Sequence, residues 1–168
     1  MSATQSATIS VNVFRNSLMF ILDETFDNVH GAYLDKGDNF FATLDGVSAE
    51  QASIPVVGQG NSIASQVNHV IFYFDVAFKY MRSENPGPQD WDASWAVVSV
   101  TDEAWNELKQ KLRDRQQTLL QLIRETPDEA FDNEDMVGGA MAAIAHTAFH
   151  LGQVRHALSF IRGNVSDK

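Results

Sequence analysis

Residues 145–158 read AHTAFHLGQVRHAL, and His146 and His150 stand four residues apart among small and apolar neighbours. On an α-helix, side chains at i and i+4 share a face with their Cβ atoms roughly 5–6 Å apart, close enough for two imidazoles to hold one metal ion. This chain has only five histidines. Two of them one turn apart, where a core should be, make either a ligand pair or two satisfied core residues.

The rest of the chain sets the context. Its 168 residues are 44% hydrophobic, enough for one domain with a buried core and no need of disulfides. There is no cysteine. Thiolate metal sites and cysteine nucleophiles are therefore excluded, and any metal must be held by His, Asp or Glu. The longest early apolar run, Leu18 to Leu22, is closed by Asp23 and Glu24 and is too short for a signal-peptide core or a membrane span. A cytoplasmic protein without a membrane partner is expected. The formal net charge of −10 repels phosphate backbones and anionic lipid surfaces, so nucleic acid is not an expected partner.

Four segments carry helical periodicity, and none alternates convincingly as a strand. The first is expected over about residues 11–34, with Phe14, Leu18, Ile21, Leu22, Val29 and Tyr33 on one stripe and Gly31 weakening its last turns. A connection follows with Gly37, Gly46, Pro55, Gly58 and Gly60, in which Ser48 to Ser53 reads as one short helical turn. The second helix is expected over about residues 62–82, capped by Asn61 or Ser62, with Ile63, Val67, Val70, Ile71, Phe74 and Phe78 inward. Pro86, Gly87 and Pro88 then open a long loop. The third, over about residues 102–125, starts at the Thr101 cap and carries Trp105, Leu108, Leu112, Leu119 and Leu122. The fourth, over about residues 134–162, is rich in small residues in its first half and has Gly163 placed as its stop. The pattern predicts a single all-α domain over residues 1–168, a four-helix bundle running up-down-down-up with long connections.

His69 falls in the middle of the second helix, in NHVIFYF, where its neighbours ought to be buried. Two helices thus each turn imidazole inward. Three clustered imidazolium ions would repel, whereas neutral imidazoles around a divalent cation satisfy one another. Three nitrogens with one open position is the arrangement of a catalytic rather than a structural zinc site. Composition and spacing leave this reading level with three unrelated core residues.

Ser62-Ile-Ala-Ser-Gln-Val-Asn-His69 and His146-Thr-Ala-Phe-His150-Leu-Gly-Gln153 also carry a resemblance. The chain resembles the DinB/YfiT-like superfamily of four-helix-bundle metalloproteins, which includes thiol-dependent transferases, and the element spacing fits from about Val11 to Ile161. The resemblance implies a divalent metal, nickel or zinc, held by His69, His146 and His150. The family's familiar form of the last motif is HRGQ, with a base where Leu151 stands here.

Other candidates are weaker. His30, near the end of the first helix, could face the site or the solvent, and its polar neighbours Asp27 and Asn28 favour a structural or surface role. His156 lies about 240° around the helix from His150 and cannot join the same ion. Tyr73 and Gln153 fall on the ligand faces and are candidates to orient imidazoles or substrate. A zincin needs Glu where Thr147 stands, a di-iron bundle needs Glu-x-x-His pairs, and neither a G-x-S-x-G elbow nor a phosphate loop occurs. Any chemistry would be the metal's, and the general base is unidentified. The leading reading is a metal-dependent hydrolase or low-molecular-weight-thiol transferase acting on a small molecule. Its rivals are a non-catalytic metal-binding stress or sensor bundle and a plain interaction module. The aromatics Phe40, Phe41, Trp91, Trp95 and Phe131, which fall in connections, either mark the interface of a homodimer or fold back to cap the bundle ends, and the homodimer is expected.

Overall fold

The computed structural model describes residues 8–56 and 60–166; Gly58, expected in the first connection, lies outside them. Four long helices dominate: α1 (Val11–Phe26), α4 (Ile63–Met81), α5 (Asp102–Glu125) and α6 (Glu134–Ser166). Two short ones, α2 (Phe40–Asp45) and α3 (Ala49–Ala52), lie in the connection after α1. No β-strand occurs among the described residues, so the chain is all-α.

Side-chain oxygens start each of the first three long helices by accepting a free first-turn amide: Ser10 from Val13, Ser62 from Ser65 and Thr101 from Ala104. At α4 the exchange is reciprocal, since the Ser62 amide donates to Ser65 Oγ at 2.9 Å. Both serines are fully buried. That box fixes where α4 begins and therefore which of its residues face inward.

The first helix does not reach residue 34. It ends at Phe26, although Val29 and Tyr33 continue the apolar spacing. The cause is Glu24, whose buried carboxylate accepts from the amides of Ala32, Tyr33 and Leu34 at 2.8–3.0 Å. Those donors are held by a side chain, and Gly31 takes φ +80°, outside the helical region. At the other end of the chain, α6 continues through Gly163 to Ser166, beyond the expected stop.

Around the bundle, α4 packs on α5 and α6, and α1 packs on the same two helices. Gln66 meets His150 while Tyr73 meets His146, so α4 and α6 run in opposite senses. Arg15 meets the Thr126 carbonyl while Asp27 meets Gln116, so α1 and α5 are also opposed. Arg115 pairs with Asp75 and ties α5 to α4. The connection between these two helices lays a short 3-10 turn, Ala93–Trp95, on α4, where the Asn68 side-chain amide donates to the Ser94 carbonyl.

The connecting aromatics fold inward. Phe40 and Phe41 are buried and pack on Phe26, with centroids 5.7 and 5.4 Å away. Trp95 stacks on α4, and Phe131 meets Phe14 edge-on beneath the Arg15 guanidinium. Only Trp91 of the five stays substantially exposed, at 42%. Phe40, Phe41 and Phe131 cover apolar surface at the ends of α1, while Trp95 and Trp91 pack against the middle of α4 beside His69 and Phe72, so the five do not form one outer patch. The motive they gave for a dimer is gone.

Candidate metal centre

His69 on α4 and His146 and His150 on α6 come together in the bundle seam. One ligand atom from each lies within 4.8 Å of the other two, and no carboxylate joins the group among the described residues. His69 and His150 are buried, and His146 is partly so. The Nε2 atoms of His69 and His150 both lie 3.2 Å from Nε2 of His146.

The far side of two rings decides what those nitrogens are. His69 Nδ1 is 2.7 Å from Ser94 Oγ, whose own proton goes to the Trp91 carbonyl. Ser94 therefore accepts, and the His69 proton sits on Nδ1. His150 Nδ1 faces Gln66 Oε1, which can only accept, so its proton is on Nδ1 too. Both Nε2 atoms are left as bare lone pairs aimed at the centre. His146 adds a third nitrogen there, and its own Nδ1 is buried without a partner.

A proton does not hold this cluster together. Burial lowers the pKa of His69. Burial, then the charge of His69, lowers His146 to about 4. Burial, then His146 and His69, lowers His150 to about 3. At neutral pH all three rings are neutral, which is the form that ligates metal. A single N–H on His146 can serve only one of its two neighbours, whereas a cation at the centre serves all three lone pairs. The donor set thus fits a divalent ion that prefers imidazole nitrogen.

Each ring plane is also fixed by an aromatic. Trp95 stacks on His69 and Tyr73 on His146, both with centroids 3.9 Å apart, while Phe149 meets His150 edge-on at 5.2 Å. Burial raises the Tyr73 pKa, so its hydroxyl is a proton donor and not a base at neutral pH.

Tyr73 thus stands against the His146 ring. Gln153 makes no hydrogen bond to the three imidazoles among the described residues; Gln66 and Ser94 hold them instead. Leu151, where a base was the familiar residue, is 1% exposed and belongs to the core. Thr147, also fully buried, donates back to the Ala143 carbonyl and takes no part in the cluster. His30 lies apart, stacked on Phe20 with Nε2 2.6 Å from Asp23, and His156 is exposed.

Gln66 was open to discovery in the sequence, as a polar residue in an apolar stripe one turn before His69. Ser94 carried no such signal. A family model described as the DinB superfamily matches residues 33–154, well over half of the chain and inclusive of all three histidines. No match is found among curated proteins or solved structures.

Proposed function

The chain belongs to the DinB superfamily, and from that premise we propose that it is a single-domain cytoplasmic metalloenzyme whose His69, His146 and His150 hold one divalent ion, nickel or zinc. The observation that carries the proposal is the convergence of Nε2 atoms whose Nδ1 partners are Ser94 and Gln66. Such an ion would supply Lewis-acid polarisation of a substrate oxygen, or acidify an incoming water or thiol.

The chain's own residues do the rest. Ser94 and Gln66 keep the imidazoles in the ligating tautomer, Trp95 and Tyr73 exclude water from their faces, and the Tyr73 hydroxyl is available to donate to a substrate. With no carboxylate in the cluster, the nucleophile that ionises most readily is favoured. Beside such an ion, water would come down to a pKa of about 7 and a coordinating thiol would be deprotonated outright; the thiol needs the smaller shift, from an ordinary pKa of about 8.5, so transfer from a low-molecular-weight thiol is the chemistry carried forward. The missing carboxylate also supports a second reading, a metal-binding stress or sensor bundle that transforms nothing.

Turnover separates them. Nickel- or zinc-loaded protein should consume an activated electrophile in the presence of a small thiol, faster than it hydrolyses a matching ester, and His150→Ala should abolish the difference. Equal rates for loaded protein and His150→Ala would overturn the enzymatic reading.

We carry the homodimer forward as a proposal on a different surface. Met141, Phe149 and Phe160 are 55–60% exposed and lie within about 100° of arc on α6. On a chain of net charge −10, an uncharged face is where a second copy meets least repulsion.

A further inference from the structure

Past the histidines, toward the far end of α4, the seam between α4 and α6 does not close. It opens into a cavity of about 530 Å³ that shares Tyr73 as a wall with the three-histidine cluster. Its size is in the range of small-molecule sites, roughly 300–1,000 Å³. The room comes from α6, where Gly139, Ala140 and Ala143 line the space one to two turns before His146. A Cβ added at Gly139 would meet nothing within 4 Å.

The lining selects by chemistry. Val76, Leu119, Ile123 and Met136 make it apolar, while Tyr73, Tyr80, Ser83, Trp91, Asn133 and Asp135 are its residues with polar side-chain groups. No Lys, Arg or His lines it, and its one carboxylate is Asp135, which is exposed. An anion entering this space would lose its hydration, gain no cationic partner and face a like charge. Water would find few polar groups to bond. A neutral, apolar occupant has neither cost.

We propose that this cavity binds a neutral, mainly apolar small molecule, laid along the α4–α6 seam with its polar end against Tyr73. Its role as the substrate of the metal centre rests on the reading given under Proposed function; its binding does not. The cavity would then set the substrate class, because only molecules that fill it reach the imidazoles from this side.

Two fluorescent probes with one skeleton test this on the whole chain: neutral N-phenyl-1-naphthylamine and its anionic relative 1-anilinonaphthalene-8-sulfonate. The neutral probe should bind saturably, at one per chain, and at least tenfold more tightly than the sulfonate. Ala140→Phe should weaken it at least tenfold, and Ala142→Phe, on the exposed side of α6, should leave it unchanged. If Ala140→Phe loses its helical circular dichroism, Gly139→Phe repeats the test with a side chain that starts in open space. His150→Ala should retain the probe. No saturable binding, equal affinity for both probes, or full binding in a folded cavity-filling variant would each overturn the proposal. Loss of the probe in His150→Ala would place it on the imidazoles and overturn it as well. Wild-type protein that holds no metal yet binds the neutral probe would sink the metal reading and leave the cavity assignment standing.

Discussion

Replacing Gln66 with methionine keeps the length and most of the volume of a side chain that is 1% exposed, and removes the acceptor for His150 Nδ1. The proton on that nitrogen then has no partner in a buried site, which costs about 1–3 kcal/mol. The ring is free to turn or to move its proton to Nε2, and either change withdraws one lone pair from the centre. Loss of an outer hydrogen bond to a ligating histidine typically lowers metal affinity about 10- to 100-fold, or about 1.4–2.7 kcal/mol. Gln66→Glu, which keeps an acceptor at the same place, should hold the ion at least as well as wild type. Competition against a chromogenic chelator reads the affinities, with circular dichroism to confirm that the helices persist. A Gln66→Met affinity within twofold of wild type would refute the reasoning, because it would mean that Gln66 does not orient His150.

Other expectations reach beyond the centre. For Glu24, burial works to raise the pKa, but the amides of Tyr33, Leu34 and Ala32 outweigh it, and the net shift is downward from the ordinary 4.5. Its contribution to stability is therefore fully present above pH 4.5 and is lost as pH falls through the lower folded value. Glu24→Gln should melt below wild type at neutral pH, and the gap should narrow in acid; a gap that is constant with pH would contradict this. Chelation should leave helical circular dichroism nearly unchanged, since the core from Phe26 to Ile161 is built without the ion. Large loss of helix on chelation would count against it. In sedimentation at micromolar concentration the chain should run as a dimer and Phe149→Glu as a monomer; a strictly monomeric wild type would remove the dimer and leave the histidine cluster untouched.

How much of this could be read from the residues depends on the range of each interaction. The stripes of the four long helices and the pairing of His146 with His150 are local, set by spacing along one helix, and were legible. His69 could be added because an imidazole amid apolar neighbours is conspicuous. The end of α1 was not legible: Glu24 looks like one more acidic residue after an apolar run, and only the folded turn shows it gathering three amides. Ser94 reaches His69 across 25 residues of chain through an irregular loop, and no periodicity marks such a contact. Gln153 follows His150 by three positions on the same helix, whereas the hydrogen-bond partner of the His150 ring comes from the helix opposite, as Gln66. For the connecting aromatics, hydrophobicity says that they must be covered, and only tertiary structure says by what.

The central claim is that three imidazoles converge to hold one divalent ion. Metal content per chain, measured by inductively coupled plasma mass spectrometry on protein purified without chelator, tests it most directly. About one equivalent of nickel or zinc in wild type and essentially none in folded His150→Ala is the predicted result. Equal metal in both, or none in wild type even after incubation with either ion, would contradict the account.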